Sequence, residues 1–163
     1  MAEFNSENPL VGKWRLDRTE NFDDYLKATG INIIKRQLAK KTSHVEQTIQ
    51  CQESNKVYIK IWSRVLTKTD TYILGEEIDE ELLEGEKVKG TMTYEDGKLL
   101  DSIKGSKKPC FNSRVMEGSQ MVHFLADTER SRHLVIFNKL FILRRNLHTM
   151  AFPITDFGHV GSS

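Results

Sequence analysis

The chain has 163 residues, of which 38% are hydrophobic and 29% charged, and its formal net charge is +1. That length suits one domain with a sizeable core. The near-neutral charge argues against nucleic acid as the main partner, and no apolar stretch is long enough for a transmembrane helix.

The residues from Met1 to Leu10 lack the apolar run of a signal peptide, which predicts a cytoplasmic protein. Cys51 and Cys110 then read as reduced thiols, and no Cys/His spacing suggests a zinc site, so neither metal nor cofactor is expected. Gly12 to Leu16 alternates like a strand, with Trp14 and Leu16 on one face. Trp14 is expected to close one end of the fold. Phe22, Tyr25 and Leu26 share one face of a short helix, and Gly30 stands where that helix should stop. Asn32 suits the cap of a second helix. Ile33, Ile34 and Leu38 give that helix an apolar stripe with Ala39 beside it, and Lys35, Arg36, Lys40 and Lys41 make the remainder basic.

From Val45 onward the period changes to two. Val57, Ile59 and Ile61 alternate with Tyr58, Lys60 and Trp62. The carboxylates from Glu76 to Glu86 read as a solvated acidic stretch. Val88 to Tyr94 is rich in strand formers and runs into Glu95-Asp96-Gly97-Lys98, a hairpin turn signal. Leu99 to Ile103 leads away from it. Glu117-Gly118-Ser119 is a further turn, followed by Met121 to Leu125, and Leu134 to Phe137 is a last apolar strand. Many short strands with two helices inserted early predict a closed antiparallel barrel.

The run Gly12-Lys13-Trp14-Arg15-Leu16, followed by Asn21-Phe22-Asp23-Asp24-Tyr25-Leu26, resembles the N-terminal signature of the intracellular lipid-binding proteins. These are the cytosolic fatty-acid-binding and cellular retinoid-binding proteins of the calycin superfamily. Ile73-Leu74-Gly75-Glu76-Glu77-Ile78-Asp79-Glu80 resembles the family's middle-strand pattern, with Ile78 in place of the usual Phe. The resemblance implies an all-β fold: a ten-stranded antiparallel up-and-down β-barrel with a two-helix lid between its first two strands. It extends over residues 1–140. Relatives end at about Leu140, so residues 141–163 are expected to form a disordered or loosely packed extension.

The resemblance also implies a function. The chain would be a monomeric cytosolic carrier of one long-chain fatty acid or related hydrophobic carboxylate, moved between membranes and proteins. A retinoid carrier, for retinol or retinoic acid, is the alternative within the binding class. A peripheral membrane protein working through its basic helices is the alternative from another class. No sequence motif of a hydrolase, nucleotide enzyme or metalloprotease is present, so no catalytic residue and no enzyme activity are expected. Burying a sixteen-carbon chain at about 0.8 kcal/mol per CH2 offers roughly 12 kcal/mol before the costs of ordering it. The inward positions are accordingly expected to be mostly aliphatic and aromatic.

By resemblance, Arg114 lies on the eighth strand at the inward position that grips a carboxylate. A guanidinium there can meet a carboxylate with two parallel hydrogen bonds and stays charged when buried. Phe22, Tyr25, Leu26, Ile31, Ala39, Val65, Leu83, His123, Leu125 and Phe137 fall at positions that line the interior or its portal. Val65 stands where several relatives place a gating Phe. The Arg-x-Tyr of the family's last strand is replaced here by Val135-Ile136-Phe137. Lys27, Lys35, Arg36, Lys40 and Lys41 would give the lid a basic surface for transient contact with anionic membranes, at about 1 kcal/mol per residue. Lys27 and Arg36 also match a nuclear-import pattern of some relatives, which Gln37 breaks.

Overall fold

A computed structural model describes residues 3–28, 30–42, 44–82, 85–105, 110–126 and 133–140. The candidate Leu83 and the extension 141–163 lie outside the described residues. The chain runs β1 (Gly12–Glu20), α1 (Phe22–Ala28), α2 (Ile33–Lys41), β2 (Val45–Glu53), β3 (Lys56–Ser63), β4 (Thr67–Ile73), β5 (Glu77–Glu81), β6 (Lys87–Glu95), β7 (Lys98–Lys104), β8 (Cys110–Glu117), β9 (Gln120–Ala126) and β10 (His133–Lys139). The strands form one ten-stranded antiparallel sheet in the order β4-β3-β2-β1-β10-β9-β8-β7-β6-β5. The two helices connect β1 to β2, as expected of a lid.

Local chemistry explains the connections. Asp96 and Gly97 both have positive φ, 50° and 76°, and Glu95 pairs with Lys98 across them. This is the type I′ geometry whose twist suits a two-residue hairpin. The α1 helix ends where Gly30 N donates to Lys27 O at 3.0 Å and Ile31 N to Leu26 O at 3.1 Å, a paired closure of its last carbonyls. Asn32 caps α2 by accepting the Lys35 amide at 2.9 Å.

The lid is held together by charge. Asp23 on α1 lies 3.3 Å from Lys27, 3.2 Å from Lys40 and 3.6 Å from Arg36. Burial works against the Asp23 charge, but hydrogen bonds from Lys40 and Lys27 outweigh it and hold the carboxyl below its ordinary value. Two of the five basic lid residues, Arg36 and Lys40, therefore brace one helix against the other, and Lys27 pairs with Asp23 within α1.

The far end is closed by more than Trp14. Phe4 and Leu10 are fully buried beside it. Trp14 Nε1 donates to Leu10 O at 2.9 Å, Asn55 N to Phe4 O at 3.2 Å, and Asn8 Nδ2 to Tyr94 Oη at 2.8 Å. The Phe4 ring stands edge-on to Tyr94 at 5.3 Å. Segment Glu3 to Val11 is thus a plug, joined to a core that includes Ile49, Val57, Met92, Leu99 and Met121.

The ten strands form the expected antiparallel barrel, and its ladder is nearly closed. β4 and β5 are the two edges and share no backbone pairing. The turn between them spends its amides elsewhere: Leu74 N donates to Asn55 O and Gly75 N to Met92 O, both at 2.8 Å. Side chains bridge the seam instead. Tyr72 Oη donates to Glu80 Oε1 at 2.9 Å, and Lys68 Nζ lies 3.1 Å from Glu80 Oε2.

This bridge corrects the reading of Glu76 to Glu86 as uniformly solvated. Glu76, Glu77, Asp79 and Glu81 are exposed, but Glu80 is buried. Gly90 makes room for it, because a Cβ at that position would overlap Glu80 Oε1 and lie 2.7 Å from its Cδ.

Candidate ligand-binding site

Alternation decides which side chains face the interior. On β6 to β10 the inward rows include Met92, Leu99, Asp101, Arg114, Met121, His123, Leu125, Val135 and Phe137, all of them buried. Register places Arg114 beside Leu99 on β7 and beside His123 on β9. Arg114 therefore points inward, and it retains only 4% of its accessible surface. Its Nε donates to Gln47 Oε1 at 2.7 Å. Gln47 belongs to β2, with β1, β10 and β9 between it and β8, so this hydrogen bond crosses the interior.

Buried polar groups normally have partners. Here Arg114 Nη1, Gln47 Nε2, His123 Nε2, Asp101 Oδ1 and Asn112 Oδ1 are buried without one. All five belong to inward positions of β2, β7, β8 and β9. Three are nitrogens able to donate toward an anion, with the His123 tautomer set by its partner. Burial and the neighbouring Arg114 charge both push His123 well below its ordinary pKa, so its ring is neutral. Burial lowers the Arg114 pKa, opposed chiefly by Asp101, but a guanidinium remains cationic even so.

Asp101 pairs with Asn112 across β7 and β8, one inward step from the Leu99–Arg114 pair. Burial raises its pKa to about 6. Arg114 and Lys68 oppose that rise, Glu80 adds to it, and the Asn112 side chain hydrogen-bonds the carboxylate. At the seam, burial works against the Lys68 charge, but its hydrogen bond to Asp70 and the Glu80 charge hold the ammonium above its ordinary value. Burial raises the Tyr72 hydroxyl strongly, as do the charges of Asp101, Glu80 and Asp70, so it acts as a donor.

The interior is thus more polar than the expected aliphatic and aromatic lining. Gln47, Asp101 and Glu80 were not singled out from sequence. Each occupies an inward parity position, and parity was the one signal that could have found them.

The remaining candidates divide. Phe22 and Tyr25 are partly buried against the core, their rings stacked 6.2 Å apart, and Leu26 is buried. Ile31 and Ala39 are partly buried. Val65 is exposed in the β3–β4 turn, and Trp62 faces outward beside His44.

The α2 stripe is solvent-exposed: Ile33 keeps 61%, Ile34 78% and Leu38 47% of its accessible surface. With Gln37 and Lys41 these three side chains line a shallow, almost wholly apolar depression. No helix among the described residues is long and apolar enough to cross a membrane.

Comparison with known proteins agrees with this architecture. A family model described as the lipocalin / cytosolic fatty-acid binding protein family matches residues 11–135. The chain is 31% identical over 117 residues to fatty acid-binding protein homolog 6 of Caenorhabditis elegans, covering 69% of this chain and 84% of the relative. It is also 31% identical over 116 residues to cellular retinoic acid-binding protein 1 of Takifugu rubripes, covering 69% and 85%. The crystal structure of a fatty acid-binding protein from Drosophila melanogaster brain superposes with a TM-score of 0.71 at 26% identity, covering 78% of this chain and 98% of that one.

Proposed function

Because this chain belongs to the lipocalin / cytosolic fatty-acid binding protein family, whose members are lipid-binding carriers rather than enzymes, we propose that it carries one long-chain fatty acid in the cytosol, with the carboxylate held at Arg114. The observation that supports this most is the unpartnered set around that guanidinium. Arg114 Nη1 and His123 Nε2 on neighbouring strands, with Gln47 Nε2 from across the interior, leave three buried nitrogens without partners. An anion placed among them receives charge-assisted hydrogen bonds in a site sheltered from water. The apolar tail then packs along Leu125, Val135, Phe137 and the lid residues Phe22, Tyr25 and Leu26.

Retinoic acid presents the same head group, and one relative is a retinoic acid-binding protein. Titration of delipidated protein with oleate, retinoic acid and retinol separates these ligands. Oleate binds with a Kd between about 10 nM and 1 μM, tighter than retinol. Tighter binding of retinol than of either carboxylate would sink the proposed role of Arg114.

The exposed stripe of α2 supports delivery at a membrane surface. Ile33, Ile34 and Leu38 are apolar, with Lys35, Lys40 and Lys41 on the same helix. An apolar face combined with basic residues suits an anionic bilayer. Replacing all three apolar residues by Ser slows transfer of a fluorescent fatty acid to anionic vesicles by roughly tenfold and leaves its Kd unchanged. An unchanged transfer rate would remove the membrane role of α2.

A further inference from the structure

Among the described residues, the interior around the proposed head-group site holds more acid than base. Arg114 and Lys68 are the cations, and Asp70, Glu80 and Asp101 are the carboxylates. Tyr72 and the neutral His123 are the other described titratable groups that face them.

Lys68 is already committed, 3.0 Å from Asp70 and 3.1 Å from Glu80. Asp101 is the counter-charge that acts most strongly on Arg114. Without ligand, the remaining pair is one cation, Arg114, against one carboxylate, Asp101, beside a Lys68 group that already carries one surplus negative charge. A ligand carboxylate arriving at Arg114 leaves two anions against that single cation, and an uncompensated buried charge is costly. Asp101 can remove the excess. Its Oδ1 is buried and has no partner. Protonated, it becomes a donor facing the same interior as the guanidinium.

We propose that Asp101 is a specificity residue that takes up one proton from solvent when a carboxylate ligand binds at Arg114. The inference rests on the Arg114 reading above. Charge balances: ligand carboxylate, Asp101 carboxylate and one solvent proton become a ligand carboxylate hydrogen-bonded to a neutral Asp101, and no bond of the ligand changes. A fatty alcohol brings no charge and needs no proton, so Asp101 separates the two head groups by pH.

The direction follows from linkage. Asp101 sits at about 6 without ligand, and a nearby anion moves it higher. Between the free and bound values, affinity for a carboxylate falls by up to about tenfold per pH unit as pH rises. Below the free value Asp101 is already protonated and the dependence vanishes. His123 is the competing proton acceptor, because it also adjoins Arg114.

Calorimetric titration with oleate at about pH 7.5, in two buffers of different ionisation enthalpy, counts the protons. The full chain is expected to take up close to one proton per oleate and close to none per oleyl alcohol. Asp101→Asn is expected to take up none, and to bind oleate with the same Kd from about pH 6.5 to about pH 8.5, a range over which the unmodified protein weakens at least tenfold.

Oleate binding without proton uptake, or uptake that persists in Asp101→Asn and is abolished by His123→Gln, would overturn the assignment to Asp101. A carbon-13 NMR titration of ligand-free protein in which the Asp101 carboxyl titrates at its ordinary value would overturn it independently. Proton uptake at Asp101 together with oleate affinity indifferent to Arg114→Gln would overturn the Arg114 reading alone. Oleate that fails to bind at any pH would overturn both.

Discussion

Arg114→Gln is expected to weaken oleate by about two orders of magnitude and to leave oleyl alcohol within about threefold. A hydrogen bond to a charged group contributes roughly 1.5–3 kcal/mol, and each 1.4 kcal/mol is about tenfold in Kd. Gln is shorter than Arg, but its amide nitrogen stands at the chain position of Arg114 Nε and can still donate to Gln47 Oε1, which now accepts from that Nε at 2.7 Å. What it lacks is the charge and the second guanidinium nitrogen, Nη1, which is buried without a partner. Fluorescence displacement with the two ligands of equal chain length isolates the head group. The alcohol buries the same hydrocarbon, so equal losses for both would mean that the substitution had disturbed the barrel rather than a carboxylate contact. The variant is also expected to fold, because Asp101, left without its counter-charge, can take up a proton and become neutral.

Gly90→Ala is expected to destabilise the protein by about 3 kcal/mol, a fall in Tm of roughly 10 °C for a chain of this size. The added methyl occupies the place of the Glu80 carboxylate. Backbone is not the obstacle; the carboxylate is, and it is held by Tyr72 and Lys68. Displacing it breaks both contacts and leaves a buried acid without partners. It also unfastens the seam between β4 and β5, which share no backbone pairing.

A double-mutant cycle tests this account. In a Glu80→Ala background the methyl meets no carboxylate, so Gly90→Ala should cost less than about 1 kcal/mol. Equal costs in the two backgrounds would show that Gly90 matters for another reason, such as strand conformation.

These two positions also mark what the sequence made legible. Arg114 could be placed because a family resemblance pointed to an inward position, and the structure buries it there. The lid was readable for local reasons: Asn32 caps the helix that follows it, and Gly30 stops the helix before it. The hairpin at Asp96-Gly97 carries its own backbone signal.

Glu80 was hidden by its neighbours. Four exposed carboxylates in the same stretch make it look solvated, and its partners Lys68 and Tyr72 come from the strand on the other side of the seam. Phe4 was hidden for a similar reason. It lies in a polar leader with no period, and its contacts are with Asn55, Cys51 and Tyr94, far along the chain.

The stripe of α2 shows the opposite case. Ile33, Ile34 and Leu38 have the spacing of a buried face, yet they stay in water because the braces at Asp23 join α1 to the polar flank of α2. Periodicity identifies a face but not what it meets.

The plug made by Phe4 and Leu10 turns the barrel into a well with a floor. On the proposed fatty-acid reading, cargo that arrives and departs through one mouth goes in head first to bring its acid down to the guanidinium, and backs out tail first. The methyl end is then the part nearest the opening and the first to meet an acceptor. Chain length should accordingly govern how quickly a fatty acid is handed on as well as how firmly it is held.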